Sequence, residues 1–188
     1  MKVEWRELPV PGLLLSGDAS VVDQRGSFTK ILSGDDDLLG GFVGRELYWT
    51  RSARGVVRGL HFQLPPDATQ KLVYVVSGAV RDFVVDLRVG SPMERELFEI
   101  RLDPSVGGLL VPAGCAHAYE ALEEGTVVCY AQDVPFDDAG NYAGIRADSA
   151  GIVPVASDPI MMPRDLEFPR LEEFVSPFTF DQGDSVSR

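Results

Sequence analysis

One of the chain's two histidines lies in a short stretch that carries two further reactive side chains. Arg58 precedes His61 by three residues, and Lys71 opens the next apolar run. A histidine can remove a proton near neutral pH, an arginine can hold an anion, and a lysine can stabilise a negative charge as it forms. On a strand, residues 58 and 61 face opposite sides unless a turn or bulge intervenes. The cluster indicates proton transfer beside an anion; the common alternative is a buried histidine with satisfied nitrogens.

The residue types disfavour a metal site. The chain has only His61 and His117, far apart in sequence, so one chain cannot supply a three-histidine site. Cys115 and Cys129 do not form a metal-type pair, and a mixed carboxylate site has no supporting spacing. There is also no glycine-rich phosphate loop. We therefore expect no metal and no cofactor.

Composition limits the class of partner. The 188 residues carry a net charge of −12, which argues against binding to nucleic acid or to an anionic membrane. A local group of arginines can still hold an anionic ligand, because electrostatic fields are screened within about 10 Å. The first residues do not resemble a signal peptide, and no apolar stretch approaches the length of a membrane span. We expect a cytoplasmic protein.

Short apolar runs separated by turn residues indicate many short strands. This spacing is typical of an all-β sandwich or jelly roll in one domain. A last strand is predicted over Ile152–Val155, a short helix within Pro163–Phe174, and a flexible tail over residues 176–188, which leaves 1–175 as the domain. The other predicted strands cover Arg45–Thr50, Lys71–Val76, Val80–Leu87, Glu96–Leu102, Gly108–Val111, Ala116–Leu122 and Thr126–Gln132.

Further candidates are scattered along the chain. Arg25, Arg58, Arg88 and Arg164 lie at turns or strand ends, where a single arginine is most often a surface residue. If several converged, they would form a bidentate clamp for a phosphate. Tyr130 lies in an apolar strand and, taken alone, is a packing ring with a satisfied hydroxyl.

Taken together, these motifs resemble the dTDP-4-dehydrorhamnose 3,5-epimerase family. The resemblance spans roughly residues 5–172, and the joint occurrence of the motifs in this order is far more specific than any one of them. The motifs are Asp23-x-Arg25-Gly26, Arg58-Gly59-Leu60-His61-Phe62-Gln63 with Pro65-Pro66, Lys71-Leu72-Val73, Asp82 to Pro92, Val111 to Ala118, Pro159-Ile160 and Arg164-Asp165.

The resemblance implies a cupin-type jelly roll with short flanking helices, and a homodimer whose N-terminal segments cross to the partner. It implies a metal-free epimerisation of a nucleoside-diphosphate 4-keto-6-deoxyhexose through an enolate, at C3, at C5 or at both. Removal of the proton from one face and its return to the other requires both a base and an acid.

The family's catalytic and binding residues carry over to positions of this chain. His61 resembles the base, Asp165 the carboxylate that orients it, Lys71 the donor to the enolate oxygen, and Tyr130 the acid. The implied substrate-binding residues are Arg25, Phe28, Arg58, Gln63, His117 and Arg164, and the three arginines and His117 resemble contacts to the nucleotide and its diphosphate.

The chain departs from the family around this core. Phe136 stands where a second tyrosine is usual, so its hydroxyl is missing, and we interpret this as a limit on the number of carbons inverted. The chain also departs from the family at positions several of which, in the family, serve the nucleotide base and the sugar: Lys30, Glu46, Tyr48, Tyr142, Ala147 and Met162. These indicate a changed substrate or outcome. A keto-isomerase or lyase acting on the same enolate, and a non-catalytic sugar-nucleotide binding protein, remain the alternatives.

Overall fold

The computed structural model describes residues 2–33, 39, 41–136 and 140–181. The described residues form mostly short strands with one α-helix. In chain order the strands are β1 Trp5–Glu7, β2 Leu14–Ser16, β3 Ser20–Asp23, β4 Gly26–Thr29, β5 Glu46–Ser52, β6 Val57–Gln63, β7 Lys71–Ser77, β8 Val80–Asp86, β9 Leu97–Leu102, β10 Gly108–Val111, β11 Cys115–Ala121, β12 Thr126–Gln132 and β13 Tyr142–Gly144.

Two sheets pack face to face. One has six strands in the order β1-β2-β10-β7-β12-β5, and the other has five in the order β13-β6-β11-β8-β9. Strand side chains alternate between faces, so each sheet contributes one apolar row to a shared core. Val73 and Val75 of the first sheet meet Val84 and Tyr119 of the second there. This is the predicted all-β, cupin-type jelly roll.

Strand β6 contains the irregularity on which the reactive cluster depends. It pairs with β11 so that His117 lies opposite His61 and Tyr119 opposite Arg58. Two residues of β6 therefore face one residue of β11, as in a β-bulge. Gly59 permits this because its φ is +119°, and an added Cβ would lie 2.5 Å from both the Cβ of Ala118 and the carbonyl oxygen of His117. The bulge turns Arg58 and His61 toward the same side of the sheet.

The short helix predicted within Pro163–Phe174 is present. Helix α1 covers Pro163–Glu167, begins with a proline at its first turn, and carries the buried Asp165. A proline suits this position because its missing N–H would have no partner there. A 3-10 turn follows at Leu171–Glu173. The helix thus places the carboxylate of Asp165 against His61 of β6.

The predicted last strand over Ile152–Val155 is wrong. The backbone N–H of Val155 donates to the carboxylate of Glu120 rather than to a neighbouring strand. Pro154 has no N–H to contribute to a ladder. The last strand is instead β13, which lies within a polar segment and pairs with β6.

The C-terminal segment differs in part from the predicted tail. Val89 donates to the carbonyl of Phe178, Phe180 donates to the carbonyl of Val89, and Phe178 is buried. Residues 178–180 therefore pair with the segment that follows β8, and residues 182–188 of the predicted tail lie outside the described part. Within the described residues, no helix has the length and apolar character needed to cross a membrane.

Candidate active site

A pocket of about 310 Å³ opens at one end of the space between the two sheets. It brings together eight of the ten residues predicted from the sequence: His61, Lys71, Tyr130, Asp165, Arg58, Gln63, His117 and Arg164. Its other lining residues are Glu46, Tyr48, Thr50, Phe62, Gln132, Phe136, Tyr142 and Met162.

His61 and Asp165 form a hydrogen-bonded pair at the pocket wall. The His61 Nε2 lies 2.9 Å from Asp165 Oδ1, and the carboxylate is almost fully buried. Burial lowers the pKa of His61 below its usual value, although the hydrogen bond and charge of Asp165 act in the opposite direction. Burial alone would raise the pKa of Asp165, but the contacts with His61 and Arg164 outweigh it and lower that pKa. The imidazole is therefore neutral at pH 7 and available as a base.

Lys71 begins β7 on the six-stranded sheet and lines the same pocket. Burial lowers the pKa of its ammonium group to about 8, and the negative charge of Asp82 partly offsets that effect. Most of the lysine is thus charged at pH 7. A cation held in a dry site can stabilise an oxyanion strongly.

A second histidine–carboxylate pair lies beside the first, because His117 on β11 is opposite His61 on β6. The Nε2 of His117 is 2.8 Å from Asp82 Oδ2 and 3.0 Å from Oδ1. Asp82 is fully buried, which raises its pKa, while His117 and Lys71 oppose that rise. Asp82 thus supports His117 and also supplies a negative charge that acts on Lys71.

Tyr130 projects into the pocket from β12, on the opposite sheet from His61. Burial raises the pKa of its phenol well above the usual value, so the hydroxyl stays protonated. Its ring stacks on Tyr48 with centroids 5.0 Å apart and an angle of 17° between the planes. The edge of His117 approaches it, with ring centroids 6.2 Å apart.

The two pocket arginines have different surroundings. Arg58 donates through Nε to Ser52 Oγ at 3.2 Å. Arg164 Nε lies 3.3 Å from the same Asp165 oxygen that His61 contacts, and its Nη2 donates to the Tyr142 hydroxyl at 2.9 Å. The Arg164 guanidinium also lies over the Tyr142 ring, 4.7 Å from its centroid. Both cations are therefore held in place by side chains of the chain itself.

Comparison with known proteins identifies the family to which this site belongs. The sequence model of the dTDP-4-dehydrorhamnose 3,5-epimerase family matches residues 7–173. The chain belongs to this family. A Streptomyces griseus protein named dTDP-4-dehydrorhamnose 3,5-epimerase is 35% identical over 176 residues, covering 89% of this chain and 86% of the relative. The chain is therefore a carbohydrate epimerase.

Solved structures agree with this assignment. A 4-keto-6-deoxy sugar epimerase from the novobiocin biosynthetic gene cluster of Streptomyces spheroides has a TM-score of 0.86 at 30% identity, and the match covers 92% of this chain and 89% of that one. A Bacillus anthracis dTDP-4-dehydrorhamnose 3,5-epimerase, solved with TDP and PPi bound, has a TM-score of 0.82 at 30% identity, covering 90% of this chain and 100% of the other.

Two predicted binding residues of the epimerase lie outside the pocket. Arg25 and Phe28 are on the separate β3–β4 hairpin, where Phe28 is exposed and Arg25 forms an ion pair with Asp23. Within one chain they do not join the other eight residues. The hairpin faces solvent in the single chain.

Sequence reasoning missed Gln132 of this epimerase's pocket lining, and it missed Asp82 and Phe168, which contact the lining residues His117 and His61. Asp82 carried a usable signal, because an acidic residue inside an apolar run marks a buried partner. Gln132 had a similar signal at the end of a β-branched run. Phe168 lies 5.8 Å from His61, ring centroid to ring centroid, and had no signal, since that approach depends on the fold of the C-terminal segment.

Proposed function

We propose that this chain epimerises a nucleoside-diphosphate 4-keto-6-deoxyhexose by removing and returning a proton next to the ketone. One observation carries the proposal. His61 comes from the five-stranded sheet and Tyr130 from the six-stranded sheet, and both side chains line one pocket. A base and an acid on opposite walls can act on opposite faces of a sugar ring, as inversion of a carbon requires.

Proton removal is assigned to His61. Its Nε2–H is directed to Asp165, so Nδ1 is the atom left to accept the proton from carbon. The depressed pKa of His61 keeps the imidazole neutral before the reaction. The buried carboxylate then stabilises the imidazolium that forms, because the ion pair lies in a medium of low polarity. Asp165 thus acts through His61 rather than on the sugar.

Stabilisation of the enolate is assigned to Lys71. When the C–H bond breaks, its electron pair forms the carbon–carbon double bond of the enolate. The π electrons of the C=O bond then move onto the ketone oxygen, which gains negative charge. The Lys71 ammonium is a fixed cation in the pocket that can meet that charge. We assign the second proton transfer to Tyr130: its hydroxyl gives a proton to the carbon and is restored from solvent, and His61 loses its extra proton to solvent.

Nucleotide binding is assigned to the basic residues of the pocket. Arg58 and Arg164 supply two guanidinium groups that suit the oxygens of a diphosphate. Gln63 donates to the carbonyl of Asp67 at 2.8 Å, and its Oε1 has no hydrogen-bond partner among the described residues. That oxygen is buried, so we assign Gln63 to the pocket wall beside the substrate and not to a direct contact through Oε1. The Nε2 of His117 is already bonded to Asp82, so we assign His117 to the pocket lining near the substrate.

We also propose a homodimer in which the β3–β4 hairpin of one chain completes the pocket of the other. Exposed apolar side chains on the hairpin and on the edge strand β5 support an interface between them: Val22, Phe28, Leu47 and Trp49. Leu47 and Trp49 are two residues apart on one strand and so share a face, and an exposed apolar patch is typical of an interaction surface.

We also propose a cytoplasmic location for the protein. The thiols of Cys115 and Cys129 are free, which suits a reducing compartment.

Mixing two inactive variants tests the shared site. Arg25→Ala and His61→Asn should each be nearly inactive, and unfolding and refolding them together should restore about a quarter of wild-type activity, because half of the dimers then hold one intact site of two. The matched control is a mixture of His61→Asn with Lys71→Met, which should stay inactive because both residues belong to the same pocket. A monomer in sedimentation, or no restoration in the first mixture, would reject the shared site.

The number of inverted carbons is proposed to be one, because of Phe136. Its ring is partly exposed at the pocket and contacts Tyr142 edge-on, with centroids 5.2 Å apart. Without a hydroxyl it cannot place or protonate a second centre. Phe136→Tyr should therefore extend proton exchange to the second carbon beside the ketone, and an unchanged exchange pattern would reject this assignment.

The activity itself is tested by incubating the wild-type protein in deuterated water with a panel of nucleotide-linked 4-keto-6-deoxy sugars. NMR should detect deuterium at C3 or C5 of one panel member together with its epimer. Movement of the carbonyl along the ring would instead identify a keto-isomerase. Thermal stabilisation by a ligand with no exchange for any sugar would identify a binding protein.

A further inference from the structure

Tyr48 lies directly beside the assigned proton donor. It is opposite Tyr130 on the neighbouring antiparallel strand, so both side chains project from the same face of the sheet into the pocket. Their rings are nearly parallel, with centroids 5.0 Å apart. Stacked aromatic pairs of this kind restrict each other's orientation beyond simple burial.

The hydroxyl of Tyr48 is held by a chain of hydrogen bonds. The carboxylate oxygen Oε2 of Glu46 accepts from the backbone N–H of Phe136 at 2.9 Å and from Gln132 Nε2 at 3.1 Å. This contact fixes the amide of Gln132, so its oxygen faces Tyr48 and accepts the Tyr48 hydroxyl proton at 3.3 Å. Tyr48 is therefore fixed at both its ring and its hydroxyl.

Tyr130 is held differently. Among the described residues the structure shows no hydrogen bond to its hydroxyl, and its side chain lines the pocket. The orientation of its ring depends on neighbouring rings, and the near-parallel neighbour is Tyr48. A hydroxyl without a partner is free to give its proton to a substrate, but its direction then depends on packing alone.

We propose that Tyr48 is a positioning residue that aims the Tyr130 hydroxyl at the enolate carbon and so sets the fraction of enolate that becomes epimer. The inference rests on the proposed function. The enolate has two exits: a proton returned from the His61 side regenerates the starting sugar, and a proton from Tyr130 gives the epimer. Misdirecting Tyr130 slows only the second exit.

The partition between the two exits is measurable in deuterated water. Deuterium in recovered substrate reports removal and return by His61, and the epimer formed reports delivery by Tyr130. In Tyr48→Leu the ratio of inversion to exchange should fall about three- to tenfold, the range expected for loss of an aromatic pair. The exchange rate itself should stay within about twofold of wild type. Tyr48→Phe keeps the stack and should keep most of the ratio.

Two further variants complete the experiment. Tyr48→Val is a second variant without the ring, and its β-branched side chain suits a strand if the leucine variant fails to fold. Arg101→Gln, at an exposed position of β9 on the other sheet, is the control and should leave the ratio unchanged.

The outcomes separate the inference from the function on which it rests. An unchanged ratio in both ring-less variants, or an equal fall in exchange and inversion, would overturn the positioning role, the latter because it reports loss of substrate binding. Absence of both exchange and inversion in the wild-type protein would instead overturn the proposed function.

Discussion

The chain's two histidines form two nearly identical pairs with different surroundings. His61 and His117 lie directly opposite each other on β6 and β11, and each places Nε2 within hydrogen-bond distance of a buried carboxylate. The side chain of His61 is 18% exposed, whereas that of His117 is 5% exposed. The same pairing therefore serves two purposes, and the two histidines differ in how far they are exposed.

The carboxylates differ as well. Asp165 also contacts Arg164, and its pKa falls despite burial. Asp82 lies deeper, and burial raises its pKa even though His117 and Lys71 oppose the change. We infer that the His61 pair acts as the base because its imidazole is the more exposed of the two and because the Arg164 contact helps to lower the pKa of its carboxylate. The less exposed His117 pair supports the pocket wall and contributes to the electrostatic field at Lys71.

The largest expected contrast is between the two histidines themselves. His61→Asn should lower kcat by about a thousandfold, the middle of the range for general acid–base catalysis. His117→Asn should lower kcat by about tenfold or less, but it should cost about 3 kcal/mol of unfolding free energy because buried Asp82 loses its partner. Steady-state kinetics and urea unfolding check both. Equal losses of kcat in His61→Asn and His117→Asn would contradict the assignment of His61 alone as the base.

A second contrast concerns the pH dependence of the reaction. Neutral His61 and charged Lys71 are both required, so kcat/KM should fall as the pH drops through the depressed pKa of His61 and as it rises through the Lys71 pKa of about 8. Asp82→Asn removes a charge that raises the Lys71 pKa, so the alkaline limb should move to lower pH. Asp165→Asn, the matched change in the other pair, should leave that limb in place. An alkaline limb that stays fixed in Asp82→Asn would contradict this account of Asp82.

The smallest expected effect concerns Arg164. Its charge lowers the pKa of His61, so Arg164→Gln should move the acid limb of kcat/KM to higher pH. The shift should be small, because the arginine side chain is about half exposed and solvent screens its charge. Arg58→Gln serves as the control, since it removes a pocket cation that does not contact Asp165. The same shift in both variants would point to a general loss of positive charge rather than to this contact.

Much of the fold could be predicted because strand periodicity is local. The runs Gly108–Val111 and Thr126–Gln132 were predicted with the bounds that the structure has. Strand β13 was missed because it has only three residues within a polar, turn-rich segment, and its pairing with β6 depends on tertiary contact. The segment Ile152–Val155 looked like a strand, but a side-chain carboxylate takes the N–H of Val155.

The site was predictable in its residues but not in its geometry. Sequence spacing alone puts Arg58 and His61 on opposite faces of a strand, and only the close approach of Ala118 to Gly59 shows why they share one. The support of Tyr48 for Tyr130 is a cross-strand contact between positions far apart in sequence. Arg25 and Phe28 belong to a hairpin that one chain leaves outside the pocket.

The division of labour between opposite walls is tested most directly by comparing Tyr130→Phe with His61→Asn in deuterated water, using NMR to follow both exchange and inversion. The account predicts that Tyr130→Phe still exchanges the substrate proton while forming almost no epimer, and that His61→Asn does neither. Inversion by Tyr130→Phe at a rate near that of wild type, or exchange by His61→Asn at such a rate, would contradict it.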